Sequence, residues 1–192
     1  MAAERGLILL TLARNAIAQT LGERTRPHAR PGWLDEPGAT FVTLTQHGAL
    51  RGCVGSLEAT RALRADVPAN AYAAAFRDSR FAPLTLHEYL YTDIEVSLLS
   101  PLEAVECADE EQACGELRPG VDGVVFDCGA HRSTFLPQVW GQFPEPRLFL
   151  AHLKQKAGLP ADFWSDAVKL QRYTVTNWCE GDFAETHTWN TA

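Results

Sequence analysis

The chain has 192 residues, 46% of them hydrophobic and 21% charged, which is enough apolar sequence for a core without disulfides or a metal. Its formal net charge of −7 disfavours a nucleic-acid partner, because phosphate binding requires a concentrated basic surface. No segment reaches the roughly 20 apolar residues of a membrane-spanning helix, and polar residues interrupt the apolar run that begins at Leu7, so we expect a cytoplasmic protein without a signal peptide.

Hydrophobic periodicity and turn residues divide the chain into alternating helices and strands. In chain order, the predicted elements are a helix over 3–21, a hairpin of strands over 39–46 and 50–57, a helix over 69–77, a short helix over 86–90, a strand over 93–98, a helix over 108–117, strands over 121–127 and 132–136, a helix over 147–157 and a last strand over 168–176. The apolar phase changes within the last strand, which predicts a bulge there. The order of elements favours an α+β fold with a mostly antiparallel sheet flanked by helices.

The five cysteines indicate reduced thiols and not a disulfide framework, because their number is odd and no two are closely paired. No CxxC motif or His-x-x-x-His pair appears, so the sequence predicts no metal site. It indicates no particular cofactor. Burial as a small apolar side chain is the ordinary role of a free cysteine, and we assign that role to four of the five.

The segment Leu50–Gly55, of sequence LRGCVG, is the strongest candidate for a functional site. Gly52 and Gly55 weaken a strand, and such glycines often mark a place where a ligand or another backbone comes close. Strand alternation places Arg51 and Cys53 on one face. A guanidinium beside a thiol lowers the pKa of that thiol, so we predict Cys53 and Arg51 as catalytic residues. The alternatives are that both bind an anionic ligand, or that Cys53 is a buried structural thiol.

Two further clusters supply candidate binding residues. Asp78, Arg80 and Phe81 follow the helix over 69–77, where Arg80 would bind a carboxylate or phosphate if it points into a cleft. The alternative is a surface ion pair between Asp78 and Arg80. Gln138, after Pro137, both donates and accepts hydrogen bonds, which suits an amide or nucleobase but also the main chain. We predict that these residues bind substrate together with the two glycines of the LRGCVG segment. The sequence does not single out any of the six histidines as a base for the thiol.

Five blocks of this sequence, in order, resemble the AMMECR domain family, whose bacterial and archaeal members are called AmmeMemoRadiSam system protein A. The blocks are LRGCVG at 50–55, NAYAAAFRDSRF at 70–81 with Pro83-Leu84 after it, IEVSLLSP at 94–101, FLPQV at 135–139 and KAGL at 156–159. The resemblance extends over about residues 38–180. The family often has proline where Ser79 stands and a more regular sequence over 141–146, so the local loop shapes stay open.

The resemblance implies one AMMECR-type domain over 1–192 that is built of two lobes with a cleft between them. The larger lobe would contain about 1–119 and 168–192, and the smaller lobe about 120–167. It also implies two partners, a Memo-like protein and a radical SAM protein encoded alongside. It implies no particular reaction, so function has to be argued from the site.

Two hypotheses about function follow. In the first, the protein is an enzyme that uses Cys53 as a nucleophile or redox-active thiol beside Arg51. In the second, it is a binding or substrate-specificity protein for its partners, and Arg51, Arg80 and Gln138 recognise a small molecule or peptide. We favour the enzyme, because a thiol paired with a guanidinium serves chemistry better than recognition alone.

Overall fold

A computed structural model describes residues 2–183, which form two compact units. The first unit contains the described residues up to Leu99 and from Thr176 onward, and the second is Ser100–Val175. The helices are α1 (Ala2–Leu21), α2 (Leu63–Phe76), α3 (Leu86–Tyr89), α4 (Glu110–Glu116) and α5 (Pro146–Lys156). The strands are β1 (Pro37–Gly38), β2 (Thr40–Gln46), β3 (Ala49–Gly55), β4 (Arg61–Ala62), β5 (Thr92–Leu99), β6 (Glu103–Val105), β7 (Gly123–Cys128), β8 (His131–Phe135), β9 (Lys169–Tyr173) and β10 (Val175–Cys179). Short 3-10 helices span Gly32–Asp35, Pro137–Gly141 and Glu180–Phe183.

The first unit is built on a four-stranded sheet in the order β10-β5-β2-β3, with β2 antiparallel to both β3 and β5. A two-residue turn joins β2 to β3, and both of its residues, His47 and Gly48, have positive φ angles of 50° and 79°. Such a turn matches the right-handed twist of a hairpin. Side chains alternate along β2, so that Val42 and Leu44 are fully buried while Thr43 lies on the opposite face.

Helices α1 and α2 cover the face of the sheet that carries Val42 and Leu44. The apolar stripe of α1 and the alanine-rich face of α2 fill the space between the helices and the strands. The core includes Leu10, Ile17, Ala71, Ala74, Ile94 and Val96. Pro68 lies inside α2, which begins at Leu63 and therefore earlier than the predicted start at residue 69.

A buried ion pair crosses this core. Arg14 of α1 is 1% exposed, and its Nε donates to Glu180 Oε1 at 2.8 Å while its Nη2 contacts the second carboxylate oxygen. Nη2 also donates to the carbonyl of Thr92 at 2.7 Å. Glu180 accepts a further bond from the N–H of Ile94 at 2.9 Å. The pair therefore fixes α1 to the start of β5 and to the last 3-10 helix.

The second unit has its own four-stranded sheet, in the order β6-β9-β7-β8, with antiparallel pairs. Its core includes the ring of Trp140, which stacks on Phe149 of α5 at a centroid distance of 3.8 Å. The two ends of this unit meet. The N–H of Ser100 donates to the carbonyl of Thr174 at 2.9 Å, and the N–H of Thr174 donates to Ser100 Oγ at 3.0 Å.

The α+β fold with antiparallel strand pairs is confirmed, but the last predicted strand is wrong. Residues 168–176 do not form one bulged strand: β9 and β10 are separated at Thr174 and belong to different sheets. The apolar phase changes inside β9, between Leu170, which belongs to the core of the second unit, and Tyr173, whose ring packs against Gly123. The pairing of β9 with β7 stays in register there, without a bulge. The second unit also begins at Ser100 and not near 120, because β6 pairs with β9 and α4 packs on α5. No helix among residues 2–183 is both long and apolar enough to cross a membrane.

Candidate functional site

Cys53 lies on β3, the edge strand of the first sheet. Its N–H donates to Asp78 Oδ2 at 2.9 Å, and its carbonyl accepts from Arg80 Nη2 at 3.3 Å. An edge strand normally leaves such main-chain groups without a partner. Asp78 and Arg80 thus take the place of a neighbouring strand and fix the main chain of Cys53 from outside the sheet.

The side chains of Asp78 and Arg80 form two hydrogen bonds, from Arg80 Nη2 to Oδ2 at 2.6 Å and from Nε to Oδ1 at 2.9 Å. The Arg80 guanidinium holds the pKa of Asp78 well below its ordinary range. The pKa of Arg80 is raised, mainly by its hydrogen bond to Asp78. The Asp78 side chain is buried, whereas that of Arg80 is 54% exposed, so this guanidinium can still receive an anionic group from solvent.

The Cys53 side chain belongs to a row of polar side chains that crosses three strands. Because the N–H and C=O of Cys53 point away from β2, Cys53 and Thr43 form a non-hydrogen-bonded pair, the kind in which side chains lie closer. Thr43 Oγ1 donates to Cys53 Sγ at 3.5 Å. Glu95 of β5 lies opposite Thr43 on the other side, and burial raises the pKa of its carboxyl. The residues that carry a thiol, a hydroxyl and a carboxyl are therefore neighbours across β3, β2 and β5.

Arg51 forms an ion pair with Glu88 of α3. Its Nε donates to Glu88 Oε1 at 2.9 Å and its Nη2 to the carbonyl of Ala82 at 2.8 Å. A β-bulge explains why the Arg51 side chain points toward Glu88. Leu44 pairs with Gly52 and Thr45 pairs with Leu50, so Arg51 is the extra residue of the bulge. The pleat is interrupted there, and strict alternation with Cys53 does not apply. A catalytic role of Arg51 stays a prediction.

Phe81 lies between two guanidinium groups, with its ring centroid 5.7 Å from Arg51 Cζ and 5.5 Å from Arg80 Cζ. Both distances lie within the range of a cation–π interaction. The three residues after α2 that were predicted to bind substrate are thus brought to the LRGCVG segment. Asp78 and Arg80 contact Cys53, and Phe81 contacts the arginines.

The two glycines of β3 each have a packing role. A Cβ built on Gly52 would lie 2.2 Å from the carbonyl oxygen of Ala74, so the backbone of α2 comes close there. A Cβ on Gly55 would lie 2.2 Å from the ring of Phe41. Close approach was expected at both positions, and at Gly52 the approaching group is another backbone. Binding of substrate by either glycine stays a prediction.

Pro137 and Gln138 lie in the second unit, at the start of the 3-10 helix Pro137–Gly141, and Gln138 is exposed. Their sharing of a site with Cys53 stays a prediction. Sequence reasoning missed Thr43, Glu88 and Glu95, which contact or face the residues it selected. Within residues 2–183, no group of three or more His, Cys, Asp or Glu side chains is arranged to hold a metal ion.

The Arg51–Glu88 pair predicts a change of stability in acid. Hydrogen bonds from Arg51 lower the pKa of Glu88 from 4.5 to about 2. A carboxyl whose pKa is lower in the folded state stabilises the fold above its unfolded pKa, and this contribution is lost as the pH falls through the folded value. We expect Glu88→Gln to lose less stability than the wild type between pH 4.5 and about 2. Urea unfolding at stepped pH measures this.

Glu36→Gln is the matched control for Glu88→Gln, because Glu36 is exposed and belongs to the same unit. It should keep the pH dependence of the wild type. The same pH dependence in Glu88→Gln would contradict the stabilising role of the pair in solution.

Comparisons with known proteins agree with the sequence blocks. The AMMECR1 family model matches residues 10–178. Protein PYRAB00100 of Pyrococcus abyssi is 38% identical over 185 residues, which cover 90% of this chain and 88% of that protein. Protein MJ0810 of Methanocaldococcus jannaschii is 33% identical over 175 residues, with 88% and 87% covered. The crystal structure of the uncharacterized protein PH0010 from Pyrococcus horikoshii superposes with a TM-score of 0.80 at 33% identity, with 91% of each chain covered. This chain therefore belongs to the AMMECR1 family.

Proposed function

We propose that this protein is an enzyme whose reacting group is the Cys53 thiol and whose substrate carries a negative charge that Arg80 binds. The observation that supports this most is the fixation of Cys53: Asp78 and Arg80 hold its main chain, and Thr43 donates a hydrogen bond to its sulfur. A purely structural thiol needs none of these contacts. A nucleophile does, because reaction requires a fixed position and orientation.

Glu95 is the base of this proposal. Burial raises its pKa, so its carboxylate takes up a proton more readily than an exposed one. In the reacting step, the thiol gives up its proton, Glu95 takes up a proton, and the Thr43 hydroxyl donates its hydrogen bond to the thiolate that forms. Sulfur then forms a bond to a carbonyl carbon of the substrate, and the π electron pair moves to the carbonyl oxygen. A cytoplasmic location, which we also propose, keeps the thiol reduced.

A second candidate function is a non-catalytic binding or substrate-specificity protein that acts with a Memo-like protein and a radical SAM protein. Two observations favour it. Arg51 forms an ion pair with Glu88, and Gly52 makes room for the backbone of α2, so much of the LRGCVG segment has a structural reason without chemistry. In this case Arg80 and Gln138 would contribute to recognition, and Cys53 would not react.

Alkylation by iodoacetamide, followed for each cysteine by mass spectrometry, tests the enzyme proposal. Burial raises the pKa of Cys107, Cys114 and Cys179, so these thiols should react slowly. We expect Cys53 to react at least about tenfold faster than these three, because the fraction of thiolate sets the rate. Arg80→Gln should slow Cys53, since it removes the positive charge next to it.

Arg77→Gln is the matched control, because Arg77 lies at the same end of α2 but contacts Tyr72. It should leave the rate at Cys53 unchanged. A Cys53 that stays unmodified until the protein unfolds would refute the enzyme proposal. Co-purification with the Memo-like or the radical SAM protein then decides whether the second candidate holds.

A further inference from the structure

A cavity of about 590 Å³ lies in the first unit, and its lining does not include Cys53. This volume lies within the range of small-molecule sites in proteins. It opens to solvent and is lined by the start of α1, the 3-10 helix at Gly32–Asp35, the end of β5 and strand β10. Most of the wall is apolar, because Ile8, Leu98, Trp33 and Trp178 contribute to it.

The position of Trp178 depends on Gly6 of α1. A Cβ at Gly6 would lie 2.2 Å from Cδ1 of the indole, so the ring packs directly on the helix backbone where no side chain intervenes. Trp178 is 8% exposed and Ile8 is 7% exposed, which makes this wall part of the folded core. The aromatic surface of the cavity is therefore held in place before any ligand binds.

Arg5 brings a positive charge to this apolar wall. Its guanidinium lies over the Trp33 ring, with Cζ 4.6 Å from the centroid. Its Nε is buried and has no hydrogen-bond partner among residues 2–183. A buried donor without an acceptor destabilises a fold, and a charged donor does so more strongly. Glu4, the acidic residue of the lining, is exposed to solvent.

We propose that this cavity binds a small aromatic carboxylate. The indoles of Trp33 and Trp178 provide flat surfaces for an aromatic ring. The carboxylate pairs with the positively charged guanidinium of Arg5, which lines the cavity, and a bond between two charged groups is stronger than one between neutral groups. One guanidinium in an apolar wall suits a single negative charge better than a phosphate, which carries more. This site is separate from the thiol site and does not depend on the function proposed for it.

The probe is 4-phenylbutyrate, and 4-phenylbutan-1-ol is its neutral counterpart. Binding is measured on the full chain by the NMR signals of the tryptophan indole N–H groups, assigned with single Trp→Phe variants. We expect saturable shifts of the Trp33 and Trp178 signals, with the acid bound at least about tenfold more tightly than the alcohol. Arg5→Met should weaken binding of the acid by about the same factor and leave that of the alcohol unchanged.

Arg24→Met is the matched control, because Arg24 is exposed and does not line the cavity. It should bind the acid as the wild type does. Three results would each overturn the proposal: no saturable shift at millimolar acid, shifts confined to the other tryptophans, or equal affinity for the acid and the alcohol. The acid and alcohol comparison uses the wild-type chain, so it decides the question even if Arg5→Met folds poorly.

Discussion

Arg14→Met is expected to lower the free energy of unfolding by about 3–5 kcal/mol, because it removes the guanidinium that pairs with the buried Glu180 carboxylate. Such a loss is large beside the total stability of a domain, which is about 5–15 kcal/mol. Glu180 would keep its hydrogen bond from the N–H of Ile94. The carbonyl of Thr92 would also lose a donor. Urea unfolding followed by tryptophan fluorescence and circular dichroism measures the change.

Arg64→Met is the control for this experiment, because Arg64 pairs with Asp35 and both side chains are more than half exposed. An exposed pair contributes less than about 1 kcal/mol, so this variant should resemble the wild type. The double variant Arg14→Met with Glu180→Leu should recover part of the loss, since it removes both charges of the buried pair. Equal stabilities of Arg14→Met and Arg64→Met would contradict the importance of the buried pair.

Gly52→Ala is the second substitution for which we expect a large effect. The added Cβ would lie 2.2 Å from the carbonyl oxygen of Ala74 and 3.1 Å from its carbon, and both atoms are backbone. No side-chain rotation relieves such a contact, so α2 has to move away from β3. We expect a loss of about 1–3 kcal/mol or more. The same shift would displace Asp78 from Cys53, so alkylation of Cys53 should change together with the unfolding midpoint.

Gly32→Ala is the matched control within the same unit, because a Cβ there meets nothing within 4 Å and the φ angle of Gly32 is not positive. It should be neutral or stabilise slightly, since alanine restricts the unfolded chain. A Gly52→Ala protein as stable as this control would contradict the prediction, because it would show that α2 can move away from β3 at little cost in free energy.

Local patterns in the sequence were sufficient for most elements of the fold. The helix over 3–21 corresponds to α1, and the strand over 93–98 corresponds to β5, because each carries a regular apolar periodicity over its length. The hairpin was predictable from the turn at His47-Gly48. The break at Thr174 was not, because it depends on which of two cores each side of the chain enters, and a local pattern does not contain that information.

Local sequence patterns were also insufficient for two contacts of the candidate site. A two-residue turn without a bulge pairs Thr43 with Gly52, whereas the observed pair is Thr43 with Cys53, because Arg51 is an extra residue. Because of this one-residue shift of register, the sequence did not predict that Thr43 lies next to the Cys53 thiol. Glu88 was hidden in another way: it lies 37 residues from Arg51 along the chain, and its local signature, a capping box with Thr85, predicts the start of a helix and not an ion pair with Arg51.

Ser100 and Thr174 are hydrogen-bonded to each other, so the two ends of the second unit lie next to each other. This is the layout of an inserted domain. A few residues would be enough to bridge the gap that its removal leaves, and a short bridge loses little loop-closure entropy. Deleting this unit, or replacing it with another domain, should therefore destabilise the first unit less than a cut or an insertion inside β2 or β5 does. The junction is the natural place to shorten the protein, to permute it, or to graft another domain onto its first sheet.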